Sequence, residues 1–308
     1  ISEESKNKNS AYTVFYTALN IGAIVAPVLY GTLSIFSWRL CFLISSIGIF
    51  FCIILFFMYS KSIKEFDHIR RTNHKKVKFT SSILLLILIS TLSFSFAKEI
   101  NNYIIIVLVA MGVLYLSPIL KVSQIEAKRI IGIVILLFFC IFFFAASLQV
   151  GSSITIFIDK FVNRELLGVE IPTSYFASLD PLFLVLTAPF FAYLWKKSRN
   201  SEPSPVIKLS LGLFIGALGF VVFLLATYTT GNKYLCLLYI LLGYIFIGAG
   251  EICLSPAVLT AISDYSPKHI TNMMMGGWYF FMSIAGFFGG YIDEKITTIN
   301  KSTQNNYS

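Results

Sequence analysis

The stretch YLCLLYILLGYIFIGAGEICLSPAVLTAIS, residues 234–263, decides the fold class. It is longer than the roughly 20 apolar residues that a helix needs to cross a bilayer. Glu251, near its middle, is its one charged residue. The stretch therefore predicts a long membrane-spanning helix that carries a carboxyl group at the depth of the lipid tails.

Eight further apolar runs predict helices of the same kind, which makes nine in all and an all-α membrane protein. They cover residues 14–35, 40–59, 81–96, 103–120, 130–157, 174–195, 207–228 and 271–291. The third and fourth helices of the chain, 81–96 and 103–120, are short, and we expect them at the edge of the bundle or nearly upright in the membrane.

The composition excludes a water-soluble protein. Hydrophobic residues make up 56% of the 308 residues and charged residues only 13%. Soluble domains average about 45–50% apolar and about 25% charged residues. The net charge of +9 does not indicate a nucleic-acid partner, because most of the excess lies in short loops between apolar runs, where a positive-inside bias accounts for it.

The sequence contains no pattern that predicts a metal, a cofactor or an enzyme. All five Cys lie inside apolar runs without metal-ligand spacing, and the three His fall in predicted loops. Residues 212–216 carry the Gly-x-x-x-Gly spacing of packed membrane helices, not a phosphate-binding loop.

The distribution of basic residues predicts the orientation. If the N-terminus is cytoplasmic, 17 of the 24 Lys and Arg fall on the cytoplasmic side, as the positive-inside rule requires. The basic linker 61–78 is then cytoplasmic and the loop 159–173 external. The linker is either a solvated connection or a contact for anionic lipid headgroups.

Two acidic residues, Asp180 and Glu251, lie inside predicted spans. A carboxylate is costly there and marks a functional site by default, although burial can also simply keep it neutral. Both lie beside helix breakers: Asp180 precedes Pro181, and Glu251 precedes Pro256 by about one turn. Such residues line cavities or bend helices in transporters, and they also occur as ordinary kinks.

Asn20 and Gln149 are further polar residues within predicted spans. Each is a candidate for a binding site, and each is equally well explained by a hydrogen bond across a helix interface.

Four stretches together resemble the proton-dependent oligopeptide transporter family, a branch of the major facilitator superfamily. Phe15–Gly22 (FYTALNIG) is similar to the family's fifth helix, Gln149–Ser153 (QVGSS) to its seventh, and Ser178–Phe183 (SLDPLF) to its eighth. Gly250-Glu251, Ser255-Pro256, Pro267-Lys268 and Met274–Trp278 (MMGGW) resemble its tenth and eleventh helices. Order and spacing agree from residue 12 to about residue 291, and the two short spans resemble the helix pair that bacterial members insert between two bundles.

The resemblance implies a proton-coupled symporter of di- and tripeptides in the cell (inner) membrane, with no cofactor. It implies that Asn20 lines the peptide pocket, that Glu251 receives the peptide amino terminus, and that Trp278 is a pocket aromatic. The substrate-binding candidates are Asn20, Gln149, Asp180, Glu251, Ser255 and Trp278. Of these, Asp180 and Glu251 are also candidates for proton coupling.

Two residues depart from the family pattern. The resemblance places Glu before Gln149, where this chain has Leu148, and Asn before Pro181, where it has Asp180. One intramembrane carboxylate is therefore missing and another has appeared. Either the proton-binding carboxylate has moved from position 148 to position 180, or the two differences are drift in a sequence that is no longer under selection.

Against the family's twelve helices, the chain is expected to be a truncated member that lacks the first four and the last. We predict a remnant of the N-terminal bundle (1–60), a linker with the inserted helix pair (61–128) and an incomplete C-terminal bundle (129–308). A separate chain could supply the rest. The alternatives are a degraded gene product without transport and a transporter of another small solute; a membrane enzyme has least support.

Overall fold

The structure, a computed structural model, describes residues 3–67, 112–113, 115–117, 122–166, 168–197 and 203–305. These residues are almost entirely helical. The helices are α1 (Glu3–Phe36), α2 (Trp38–Asp67), α3 (Gln124–Ser147), α4 (Ser153–Phe161), α5 (Leu179–Lys197), α6 (Pro205–Tyr228), α7 (Lys233–Tyr265) and α8 (Thr271–Asn305). Two 3₁₀ segments, Leu148–Gly151 and Thr173–Ser178, precede α4 and α5, and a hairpin pairs β1 (Glu165–Leu166) with β2 (Val169–Glu170).

The predicted all-α membrane class is confirmed. Six segments of the described chain are long and apolar enough to cross a membrane: Ala18–Phe36, Trp38–Tyr59, Gln124–Phe161, Thr173–Trp195, Pro205–Tyr228 and Tyr234–Tyr265. The predicted span 271–291 forms part of α8, but α8 is not among these six, so its crossing stays a prediction. The span 81–96, and all of 103–120 except 112–113 and 115–117, lie outside the described residues.

The helices differ from the predicted spans in three places. α1 already begins at Glu3, before the predicted span 14–35. The polar tail after residue 292 continues α8 as far as Asn305. The span 130–157 is interrupted, because Leu148–Gly151 forms a 3₁₀ turn between α3 and α4. Hydropathy reports the depth of a residue in the membrane, and helical hydrogen bonding continues or stops independently of it.

Side-chain caps define where three helices begin. Ser123 and Glu126 form a reciprocal capping box at the start of α3. The Ser204 hydroxyl accepts a hydrogen bond from the Ile207 N–H at the start of α6, where Pro205 takes the first helical position. Asn232 caps α7 in the same way. These caps satisfy N–H groups that have no partner within the helix.

A glycine seam holds α6 against α7. A Cβ atom on Gly212 would lie 2.7 Å from the Gly250 carbonyl oxygen, and one on Gly250 would lie 2.8 Å from the Gly212 carbonyl oxygen. Farther along, Gly219 faces the Gly243 carbonyl oxygen at 3.2 Å. Small residues let membrane helices approach to backbone contact, so the spacing seen at Gly212 and Gly216 does serve helix packing.

An arginine holds together the segment between α4 and α5. Arg164 forms ion pairs with Asp159 at 3.1 Å and Glu170 at 2.9 Å, and it donates a hydrogen bond to the Ile171 carbonyl oxygen. Gly168 provides the positive φ of 80° that the hairpin turn requires. The ends of the hairpin are thereby tied to the end of α4.

The contacts divide the chain into two units, Ile1–Ile35 with Pro118–Ser308 and Phe36–Ser117. The second unit contains α2, whose side chains are largely exposed, as suits a helix that faces lipid. In the first unit, α1 contacts the start of α5: Ser178 donates a hydrogen bond to the Ile24 carbonyl oxygen at 2.7 Å, and the Thr32 and Tyr175 hydroxyls lie 2.6 Å apart. The predicted division at residues 60 and 128 stays a prediction.

Candidate functional site

Asp180 is the second residue of α5 and follows the 3₁₀ segment directly. Pro181 therefore lies in the first turn of α5, where a proline is tolerated because the N–H that it lacks would have no helical partner. The expected helix breaker beside Asp180 thus begins the helix and does not kink it. Pro189 does lie inside α5.

The first turn of α5 lies against the backbone of α7 at Gly248. A Cβ atom on Gly248 would lie 2.7 Å from the Leu184 nitrogen and 3.0 Å from the Asp180 carbonyl oxygen. No side chain separates the two helices at this point. The close approach brings Asp180 to the middle of α7, one helical turn from Glu251.

A polar stripe runs along one face of α7. We give this name to Tyr244, Glu251 and Ser255, which lie with Gly248 at positions i, i+7, i+11 and i+4 and so share one side of the helix. Tyr244 is fully buried and packs edge-on against Phe223, with ring centroids 5.5 Å apart. Ser255 is also buried.

The Asp180 carboxyl group lies close enough to both Glu251 and Tyr244 to interact with them electrostatically. The Asp180 Oδ1 atom, the Tyr244 hydroxyl and the Ser255 hydroxyl are buried and accept or donate no hydrogen bond within the described part of the chain. Ion pairs in that part of the chain join Arg164 to Asp159 and Glu170. Buried polar groups are normally satisfied, so this arrangement is suited to a ligand or a proton that neutralises the two carboxyl groups.

Replacing Gly248 with Ala is expected to lower the free energy of unfolding by about 1–3 kcal/mol, the usual cost of overpacking. The added methyl group would meet backbone atoms of α5, which cannot rotate away. The measurement is the thermal midpoint of the purified protein in detergent. Gly276→Ala on α8 is the matched control, since nothing lies within 4 Å of its added methyl group. Equal midpoints for the two variants would contradict the close approach.

Gln149 and Trp278 lie at a second contact, where α3 and the 3₁₀ turn that follows it meet α8. The Gln149 Nε2 donates hydrogen bonds to the Gly289 carbonyl oxygen at 3.0 Å and the Ala145 carbonyl oxygen at 3.5 Å. Ser153 donates a hydrogen bond to Asp293. Trp278 is buried, with its ring edge-on to Phe144 at 5.5 Å. Gln149 thus forms a hydrogen bond across a helix interface, the second of the two roles expected from the sequence. Its role in a substrate pocket stays a prediction.

Asn20 is buried on α1, one turn before Ile24, whose carbonyl oxygen accepts the hydrogen bond from Ser178. Because Ser178 is two residues before Asp180, this contact brings the turn of Asn20 towards the start of α5. The structure therefore assembles Asp180, Glu251 and Ser255 around the packing of α5 and α7 and places Asn20 near its edge. Gln149 and Trp278 belong to the other contact.

Tyr244 is a residue of the site that the sequence did not predict. In a hydropathy profile a tyrosine inside a long apolar run counts as one more lipid-compatible residue. The sequence feature that could have identified Tyr244 is its position two helical turns before Glu251, on the same face of the helix. Its fully buried hydroxyl distinguishes it from the tyrosines that membrane proteins place at the lipid surface.

Curated relatives resemble the chain along most of its length. The peptide transporter YePEPT of Yersinia enterocolitica is 26% identical over 92% of the chain, and the uncharacterized transporter YclF of Bacillus subtilis is 25% identical over 90%. Dipeptide and tripeptide permease B of Photorhabdus asymbiotica is 24% identical over 92%. The chain spans 62%, 59% and 60% of these three proteins, respectively.

Solved structures share the fold. A crystal structure of a peptide transporter POT variant in complex with alafosfalin superposes with a TM-score of 0.78 at 23% identity, over 98% of this chain and 64% of the other. A POT family transporter in complex with a thioalcohol-conjugated peptide gives 0.73 at 21% identity, over 97% and 66%.

The family model described as PTR2, POT family, matches residues 2–308. The match confirms the resemblance carried by the helix motifs around Asn20, Gln149, Asp180 and Glu251. It also agrees with the multi-pass membrane character of the described helices. The chain belongs to the POT family of transporters.

Proposed function

We propose that the chain forms part of the substrate site of a proton-coupled symporter of di- and tripeptides. The observation that carries the proposal is the pair of partly buried residues Asp180 and Glu251, brought together by the packing of α5 on α7 at Gly248. The names of the relatives support a peptide as substrate.

Glu251 binds the amino terminus of the peptide. A carboxylate facing an ammonium in a site of low dielectric forms a strong, charge-assisted hydrogen bond. Tyr244 and Ser255 offer hydroxyl groups on the same face of α7 for the peptide backbone. Asn20 adds a buried amide from α1, near the start of α5, whereas Trp278, which packs against Phe144, stays a predicted pocket residue.

Asp180 carries the coupling proton. The position at which the family pattern has Glu is occupied by Leu148, which is half exposed and cannot titrate. Asp180 lies within electrostatic reach of Glu251, so the charge state of one affects the other. Binding of a cation at Glu251 and of a proton at Asp180 together leaves the pair neutral.

The test is uptake of a labelled dipeptide into proteoliposomes by two proteins. One is a full-length hybrid, in which a relative such as the Yersinia peptide transporter supplies the segments that the chain does not span. The other is the 308-residue polypeptide. We expect saturable, proton-driven accumulation by the hybrid only, because the chain spans about three fifths of its relatives.

Each result that differs from this expectation has its own meaning. A correctly folded hybrid that transports no peptide would contradict the proposal and favour a degraded gene product. Accumulation of another small solute would favour a retuned transporter. Gradient-driven uptake by the polypeptide alone would show that the described helices suffice.

We propose the orientation of the chain in the membrane from the distribution of Lys and Arg. In a Cys-free background, a membrane-impermeant thiol reagent is expected to label Glu165→Cys in intact cells, and Ser62→Cys only after permeabilisation. Glu165 is an exposed residue of the hairpin, which the orientation places outside the inner membrane, and Ser62 follows the α2 span. Labelling of Ser62→Cys in intact cells would reverse the proposed topology.

A further inference from the structure

We propose that the Asp180–Glu251 pair selects peptides whose first residue carries a second amine, such as an N-terminal lysine, and that this amine takes the place of the coupling proton. The inference rests on the proposed function and names its preferred substrate class. It follows from counting charges in the site that α5 and α7 form.

The site contains two acidic side chains and no basic side chain among the described residues that interact with them. The charged or titratable groups that act on this pair from α5 and α7 are Asp180, Glu251 and Tyr244 themselves. On α6, which packs against α7, Lys208 lies over the Trp195 ring at 5.4 Å and near Cys253. The described side chains of α1 that pack near the start of α5 are uncharged.

Burial requires that two acidic groups be neutralised, either by protons or by cations. A peptide with an ordinary first residue supplies one ammonium group, so one proton must accompany it. A peptide with an N-terminal lysine supplies two ammonium groups and satisfies the pair without a proton. The site with an ordinary peptide and one proton therefore has the same net charge as the site with an N-terminal lysine peptide and no proton.

The geometry favours a second amine on the first residue over one at the far end of the peptide. The Asp180 carbonyl oxygen lies against α7 at Gly248, three residues before Glu251, which corresponds to about 4.5 Å along the helix axis at 1.5 Å per residue. A lysine side chain extends from the same Cα atom as the amino terminus, so its ammonium can reach Asp180 while Glu251 holds the terminus. The unpartnered Asp180 Oδ1 and Tyr244 hydroxyl provide acceptors for that group.

The experiment measures binding of three dipeptides to the full-length hybrid in lipid nanodiscs by titration calorimetry. The dipeptides are Lys-Ala, norleucyl-Ala, whose side chain has similar length and no amine, and Ala-Lys, whose second amine lies on the second residue. Repeating the titrations in buffers of different ionisation enthalpy gives the number of protons released. We expect Lys-Ala to bind at least about tenfold more tightly than the other two, the equivalent of about 1.4 kcal/mol, and to release one more proton per peptide than norleucyl-Ala.

In the variant Asp180→Asn, we expect the ratio of the Kd values of norleucyl-Ala and Lys-Ala to fall to about one. We also expect the two peptides to release the same number of protons. If this variant does not fold, the proton count in the unaltered hybrid decides the question. Equal affinity and equal proton release for Lys-Ala and norleucyl-Ala would overturn this inference and leave the proposed peptide site standing. Absence of binding by all three peptides would overturn both.

Discussion

Replacing Glu251 with Gln in the full-length hybrid is expected to weaken peptide binding by about a hundredfold. Gln keeps the size of the side chain and removes the charge that faces the peptide ammonium. Loss of one partner from a buried charge pair costs about 2–5 kcal/mol, and about 2.8 kcal/mol corresponds to two decades in Kd. Calorimetric titration with dialanine measures the effect.

Glu294→Gln is the control for this substitution. Glu294 is an exposed carboxylate on α8, so its neutralisation removes a charge of the same kind away from the proposed pocket. We expect this variant to bind dialanine as the parent protein does. A Glu251→Gln variant that keeps the parent Kd would remove Glu251 from the binding site.

Replacing Asp180 with Asn is expected to abolish proton-driven accumulation of peptide and to preserve exchange of peptide across the membrane. Asn retains the hydrogen-bonding geometry of the side chain but cannot carry a proton. The protein would then still alternate between its two sides with peptide bound, without a link to the proton gradient. Paired uptake and counterflow measurements in proteoliposomes distinguish the two activities.

A second substitution tests whether a carboxylate at position 148 can replace the one lost at position 180. Adding Leu148→Glu to Asp180→Asn returns both positions to the family pattern. We expect the double variant to recover accumulation. Equal accumulation by the parent and by Asp180→Asn would exclude Asp180 from coupling. It would support drift at this position.

The sequence was a sound guide to the spans because their physical cause is local. A run of apolar residues as long as 234–263 has few ways to avoid the membrane, and α7 occupies it with Glu251 near the centre. The motifs around Asp180 and Glu251 were equally informative, because each places a costly group beside residues that alter the backbone.

The sequence was a poor guide to interruptions and to contacts between distant segments. The turn at Leu148–Gly151 lies inside a run whose average hydropathy stays high, so the profile showed no boundary. The proximity of Asp180 to Tyr244 depends on the absence of a side chain at Gly248, and neither helix reveals by itself which residue will face it. The hydrogen bond between Ser178 and Ile24 joins residues that are 154 positions apart, which no local pattern encodes.

The glycine seam between α6 and α7 also has a mechanical consequence. Backbone contact from Gly250 to Gly243 covers about 10 Å of α7 at 1.5 Å per residue. Two helices joined along such a length resist bending far more than either does alone, so a rotation imposed on α7 at Gly250 reaches Gly243 with little loss. Glu251 travels with this stiff pair. Any flexure within the first unit is therefore expected at its two short 3₁₀ segments, Leu148–Gly151 and Thr173–Ser178, the second of which leads directly into Asp180.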